Sequence, residues 1–393
     1  MAGPYIQGEA PALFNLNPFT PISMKTTTLA FLGLSATVFT ACAAALPSLK
    51  DVYADDFLIG AALNAYRVEV DSGPVAELVA TQFNCATAEN AMKWGPIHPL
   101  PGIYDFSDAD RFADFSEAHG MKIVGHTLVW HSQTPKWVFE DENGQPLTRE
   151  ALLARMRDHI FTVMGRYKGR VYSWDVVNEA LNEDGTLRDS PWRRIIGDDY
   201  IIKAFEYAHE ADPQAKLYYN DYGIENPAKR AGAVAIVKML QQAGARIDGV
   251  GIQEHVSLTW PSREDLDASI RAFGELGVKV AITELDVSVL PDPDMGNADV
   301  GRRFIANTPA LDPYVAGLPE QMQKKLADRY AELFGVYLAN KSVVERVTFW
   351  GLTDRESWLN NFPVYGRTNY PLLFDRHLKA KPAFFSVIGE AAK

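Results

Sequence analysis

Beyond about residue 50 the chain alternates between two patterns of apolar positions. Short apolar runs, rich in β-branched and aromatic residues, recur at 57–63, 83–87, 122–130, 171–177, 216–220, 249–252, 278–282 and 347–352. Each predicts a strand. Between them lie longer segments with apolar residues at helical spacing. Over 149–167, Leu152, Met156, Ile160 and Val163 fall on one face. Ser262 followed by Asp265 predicts a capped helix at 263–275, and 321–337 predicts another amphipathic helix. A Pro-, Gly- and Asp-rich insertion at 291–318 precedes that last helix. Runs apolar along their whole length are buried on both faces, as in a parallel sheet. Eight of them, each followed by a helical pattern, predict an α/β fold: a single (β/α)8 barrel, the TIM barrel, over residues 46–393. No linker, repeat or low-complexity spacer divides it.

The front of the chain fits neither pattern. Residues 1–23 contain four prolines and no Lys or Arg, and are expected to be an upstream extension outside the fold. From Met24-Lys25 an apolar run follows, from Leu29 to about Leu46, ending in small residues. Residues 24–45 therefore predict a secretory or lipoprotein signal, too short for a membrane span. Ala41-Cys42-Ala43 suits cleavage, so a secreted or periplasmic protein is expected. Phe39-Thr40-Ala41-Cys42 also resembles a bacterial lipobox, and the alternative is a lipid anchor on a bacterial membrane through Cys42.

A net charge of −12 without a Lys/Arg-rich run argues against a nucleic-acid partner, whose binding rests on neutralising phosphates. Two cysteines, Cys42 and Cys85, make no disulfide framework and no zinc spacing; Cys85 predicts a buried thiol. His126, His131 and His255 form no HExxH arrangement, so no metal and no cofactor is expected, and the chain is expected to be monomeric.

Two carboxylates interrupt strand patterns. Tyr172-Ser173-Trp174-Asp175-Val176-Val177 runs into Asn178-Glu179, and Val280–Val287 contains Glu284. Side chains at the ends of parallel barrel strands face a cavity built from the following loops. Two carboxyl groups delivered there are the minimum equipment for cleaving a glycosidic bond. Seven tryptophans, at 94, 130, 137, 192, 260, 350 and 358, lie at strand ends or just beyond them, where flat indole rings suit sugars. These residues alone do not choose among the retaining barrel glycosidases, a cellulase or mannanase among them, and leave open a carbohydrate-binding barrel. The last would be expected to lose a carboxylate while keeping its aromatics.

The motifs TAENAMKW (87–94), GHTLVWHSQTPKW (125–137), WDVVNEA (174–180), NDYG (220–223), GVGIQEH (249–255), ITELDV (282–287) and FWGLTDRESWL (349–359) follow one another on successive strand ends. Over roughly 50–390 the chain resembles glycoside hydrolase family ten, the barrel-type endo-β-1,4-xylanases. The resemblance implies a retaining hydrolase of internal β-1,4-xylosidic bonds, with xylan and xylo-oligosaccharides as partners. It makes Glu179 the acid/base and Glu284 the nucleophile. Glu89, Asn90 and Lys93 would bind sugar on the non-reducing side of the cut. His126, Trp130, Gln253, Trp350 and Trp358 would wall the subsite where the bond breaks, and His255 would contact the nucleophile. Asn178 offers an amide to the sugar 2-hydroxyl, and Trp350 and Trp358 would exclude the hydroxymethyl group of glucose. Gly223 stands where the family usually carries asparagine, so the leaving-group-side contacts are not carried over. The 291–318 insertion is expected to border the nucleophile's loop.

Overall fold

The structure is a computed structural model that describes residues 46–64, 73–291, 298–301 and 304–393. The expected extension, the leader and Cys42 lie outside the described residues. Among the described residues are nine strands: β1 (Leu58–Leu63), β2 (Cys85–Ala88), β3 (Lys122–Trp130), β4 (Val171–Asn178), β5 (Lys216–Asp221), β6 (Gly249–Ile252), β7 (His255–Ser257), β8 (Lys279–Ser288) and β9 (Val344–Phe349). Neighbours from β1 to β6 pair in parallel, β6 pairs with β8, β8 with β9, and β9 returns to β1. That closes the expected eight-stranded (β/α)8 barrel. Helices occupy the crossovers, among them Arg149–Arg166, Arg263–Gly274 and Glu320–Ala339.

The helix starts are chemically specified. The Thr148 side chain accepts the Ala151 N–H, and Ser262 Oγ accepts the Asp265 N–H at 3.1 Å while donating to that aspartate's carboxylate at 2.7 Å. Each interaction satisfies a backbone donor that a helix's first turn leaves open, contributing about 1 kcal/mol.

Three strands differ from expectation by more than one residue at an end. The run expected at 347–352 is paired from Val344 to Phe349. Its early residues include Glu345 and Arg346, which mask the strand in sequence although Arg346 is buried. The run expected at 83–87 begins at Cys85, because Phe83 is still the C-cap of the helix Pro74–Gln82. The run expected to end at Ile282 continues to Ser288, since the three-residue strand β7 pairs with its outer part, His255 against Asp286 and Ser257 against Ser288. Glu284 therefore sits inside a strand held on both sides. Cys85 is a buried free thiol, as expected.

Two glycines show how tightly the barrel is filled. A Cβ at Gly125 would stand 2.1 Å from the ring of Trp174, whose buried indole uses that space. A Cβ at Gly251 would stand 2.2 Å from Asn220 Oδ1. Such distances are impossible in a close-packed interior, so glycine on β6 makes room for an amide on β5.

Candidate active site

All twelve residues assigned above to catalysis or sugar binding line one cleft of about 400 Å³ at the C-terminal end of the barrel. Strand register brings them together. Trp130 at the end of β3 lies opposite Asn178 at the end of β4, which lies opposite Asn220 on β5. The chain then leaves β4, and the Glu179 N–H donates to the Asn220 carbonyl at 2.8 Å. The Glu284 N–H donates in the same way to the Gln253 carbonyl at 2.9 Å. Glu179 holds a φ of 57°, in the left-handed region. For a non-glycine residue this costs about 1–3 kcal/mol, and such strain gathers where geometry serves function.

The two glutamates have different surroundings. Glu179 Oε2 accepts the Trp130 indole N–H at 2.8 Å, and Oε1 accepts the amides of Gln253 at 3.1 Å and Asn178 at 3.2 Å. Burial pushes its carboxyl up to about 7, with the charge of Asp221 adding to the effect; the donors oppose it and Glu284 adds least. The proximity of the two glutamates is thus a minor cause of the shift. Glu284 is as buried, and burial alone would raise it too. The hydrogen bond from His255 and the charges of His126, His255 and Lys93 outweigh burial and hold it below the usual carboxylate range. Its Oε1 accepts the Asn220 amide at 2.9 Å, and its Oε2 lies 3.2 Å from His255 Nε2.

His255 is wedged between two acids, with Nδ1 3.0 Å from Asp286 Oδ2. Both ring nitrogens face carboxylates, so both donate and the ring is an imidazolium. Burial would strip its proton, but the Asp286 charge and the two hydrogen bonds hold it up to about 10. Asp286 also accepts the Trp358 indole N–H at 2.8 Å, fixing that ring beside the histidine. On the opposite wall His126 Nδ1 lies 2.9 Å from Asp175, and Trp350 stands edge-on to His126 and His255.

Farther along the cleft, Lys93 Nζ donates to Asn90 and Gln133, both at 2.9 Å, and lies 5.1 Å from the centre of the Trp130 ring. Burial lowers its pKa against the pull of Glu284 and Glu89. Glu89 is shifted upward by burial and accepts the Asn64 amide at 3.3 Å.

Residues 48–390 match glycosyl hydrolase family 10. The chain is 46% identical over 366 residues to endo-1,4-beta-xylanase A of Xylanibacter ruminicola, covering 93% of this chain and 99% of that one. It is 44% identical over 347 residues to an endo-1,4-beta-xylanase of Geobacillus stearothermophilus, covering 87% and 98%. A GH10 endoxylanase structure from a sugarcane soil metagenome superposes with a TM-score of 0.85 at 48% identity, over 87% of this chain and 99% of that one. A glutamate-to-alanine variant solved with xylotriose gives a TM-score of 0.77 at 40% identity, over 87% and 99%.

The chain belongs to glycosyl hydrolase family 10.

Within this family 10 barrel, some functional positions escaped the sequence reading. Asn220 lies in the NDYG motif but had no role; it donates to both Glu284 and Asn178. Asp286 and Gln133 were likewise unassigned. Not every strand-end tryptophan faces the cleft: Trp94 and Trp192 are buried, stacked on His159 and donating to the Trp130 carbonyl respectively. Of the seven, Trp130, Trp350 and Trp358 line the cleft. Trp130 is also more than a wall, since its N–H is spent on Glu179. Gly223 has a φ of 64°, a conformation glycine adopts without strain and asparagine tolerates.

Proposed function

We propose that the chain is an endo-1,4-β-xylanase that cleaves internal bonds of xylan with retention of configuration. The observation that carries this reading is the split between two buried carboxyl groups in one cleft: Glu179 held protonated up to about 7, and Glu284 held ionised. A proton donor and a nucleophile are what double displacement requires. The substrate follows from the relatives, which are named as xylanases, and from the xylotriose complex among the similar structures.

Glu179 donates its proton to the glycosidic oxygen as Glu284 attacks the anomeric carbon. The C–O bond breaks, the leaving sugar departs as an alcohol, and Glu284 becomes a glycosyl ester. Asn178 has a second amide hydrogen to offer the sugar 2-hydroxyl. In the second step Glu179, now a carboxylate, takes a proton from water, which displaces Glu284. Esterification removes the Glu284 charge, the smallest of the influences raising Glu179. Departure of the leaving sugar and entry of water relieve the largest, burial.

Xylan is expected to be hydrolysed while carboxymethylcellulose and mannan are left nearly untouched, and proton NMR should show the β-anomer first. Early α-anomer would mean inversion and carboxyl groups about 6.5–9.5 Å apart. Preferential release of sugar from either other polymer would overturn the substrate assignment.

The pH profile tests the acid. kcat/KM should fall above about pH 7 as Glu179 loses its proton. The Trp130 N–H favours the carboxylate, so Trp130→Phe should move that alkaline limb upward by about one unit, alongside any loss of rate. A limb that stays in place or moves down would separate Trp130 from proton transfer.

A further inference from the structure

The loop after β9 carries two of the cleft tryptophans and is anchored from behind. Trp350 opens it, and the Trp350 N–H donates to the Leu285 carbonyl at 3.0 Å, one residue beyond Glu284. Trp358 stands at its far end, on the short turn Trp358–Asn360. Midway between the two is Asp354, whose side chain is wholly buried. Lys381 Nζ, nearly as hidden, lies 2.9 Å from Asp354 Oδ2 and 3.1 Å from Oδ1. Lys381 immediately precedes the helix Pro382–Glu390, so the ammonium is delivered from the start of a regular element.

The two charges also bind backbone. Lys381 Nζ donates to the carbonyls of Leu372 at 2.6 Å and Tyr370 at 2.8 Å. Asp354 Oδ1 accepts the Leu372 N–H at 2.9 Å, and the Asp354 carbonyl accepts the Asn360 side-chain amide at 2.8 Å. The same segment, 369–374, bonds to the outer end of β8. There the Val287 N–H donates to the Pro371 carbonyl at 3.3 Å, and Asn369 Nδ2 donates to Ser288 Oγ at 2.9 Å. One buried pair thus joins the strand of Glu284, segment 369–374 and the loop of the two tryptophans. Burial pushes Asp354 up and Lys381 down, each opposed by the other's charge. Two charges taken out of water regain little net stability from each other. What several charge-assisted hydrogen bonds secure is direction.

We propose that Lys381 and Asp354 are positioning residues for sugar selection. By fixing the tryptophan loop against the strand of Glu284, the pair sets the clearance at the cleavage subsite, and with it the rejection of sugars bearing a hydroxymethyl group. The described lining of the cleft includes neither side chain, so both act through Trp350 and Trp358, which it does include. The proposal rests on the xylanase reading above.

The test uses nitrophenyl β-xylobioside and β-cellobioside, which differ only in the hydroxymethyl group of each ring. The unaltered full chain should favour the xylobioside in kcat/KM. Lys381→Met keeps the apolar stem and removes the cation. It should lower that preference about three- to tenfold, a share of the roughly 10–200-fold that one methylene is worth in a fitted pocket. Asp354→Asn should lower it too. The double variant, Lys381→Met with Asp354→Asn, leaves neither charge unpaired in the interior. It should melt above either single variant and still show the lowered preference. A pair that served stability alone would behave otherwise. Rates on both substrates would then fall together at an unchanged preference, or the preference would return with stability in the double variant; either result would overturn the proposal. If the unaltered enzyme favoured the cellobioside, the xylanase reading would fall, and this proposal with it.

Discussion

Glu284→Ala should abolish turnover of every glycoside, whereas Glu179→Ala should still cleave aryl xylobiosides with acidic leaving groups. The difference follows from what each carboxyl group supplies. Without Glu284 no covalent intermediate can form, and a loss on the order of 10⁵-fold or more is expected whatever the leaving group. Glu179 supplies a proton in the first step and removes one in the second, contributions of about 10²–10⁴-fold each. A nitrophenolate leaves without the proton, so the first step survives in the alanine variant and the intermediate accumulates. Azide needs no base, so adding it should restore turnover and yield a β-glycosyl azide. The same logic predicts a pre-steady-state burst of phenolate from Glu179→Ala and none from Glu284→Ala. If Glu284→Ala kept activity on activated substrates while Glu179→Ala lost it, the two roles would be exchanged. Asn220 offers an internal check on the nucleophile. Its amide is fixed by Thr283 Oγ1 at 2.7 Å and donates to Glu284 Oε1, so its removal should slow formation of the intermediate.

The barrel was legible because its strands are apolar on both faces, which makes them stand out as continuous runs between helical patterns. The glutamates were legible for the complementary reason: a carboxylate inside such a run has nowhere neutral to go. Pairings across the barrel were not legible, because they depend on register between strands distant in sequence. Asn220 meets Glu284 across 64 residues, and His255 meets Asp286 across 31. Strand β7 escaped because three residues carry no period. Trp94 and Trp192 share the strand-end positions of the cleft tryptophans yet point into the packing behind them, a difference of side-chain direction that spacing does not encode. The salt bridge of Asp299 to Arg188 depends on the path of an irregular insertion, for which composition predicts only the presence of loop.

Stability should fall as pH rises from about 6 to 9, and one buried acid outside the catalytic cleft should account for much of the fall. Glu225 and Glu254 are fully buried behind His255, and three of their four carboxyl oxygens lack a hydrogen-bond partner among the described residues; the fourth accepts Tyr337 Oη. Burial pushes Glu225 up to about 7; burial and then the charge of Glu225 push Glu254 up to about 8. An unfolded chain releases both protons near 4.5. Above that value the folded state binds more protons than the unfolded one, so stability declines with pH until the folded values are passed. At about 1.4 kcal/mol per unit, the coupled pair costs on the order of 4 kcal/mol between pH 6 and pH 9. His255 adds to the decline, because its stabilising charge is fully present below 6.5 and is lost as pH rises through about 10. The acid side has the opposite sign. Burial drives His159 well below 6.5 and His131 down to about 4, so both remain neutral in the fold while the unfolded chain takes up protons. Stability should therefore peak between about pH 5 and 6.5. Glu254→Gln keeps an acceptor for Tyr337 and removes the ionisation. It should raise the melting temperature at pH 9 by several degrees, at about 2 °C per kcal/mol for a domain of this size, and change it little at pH 5. Calorimetry at the two pH values decides the matter: an equal shift at both would mean that packing, rather than proton release, sets the effect of Glu254.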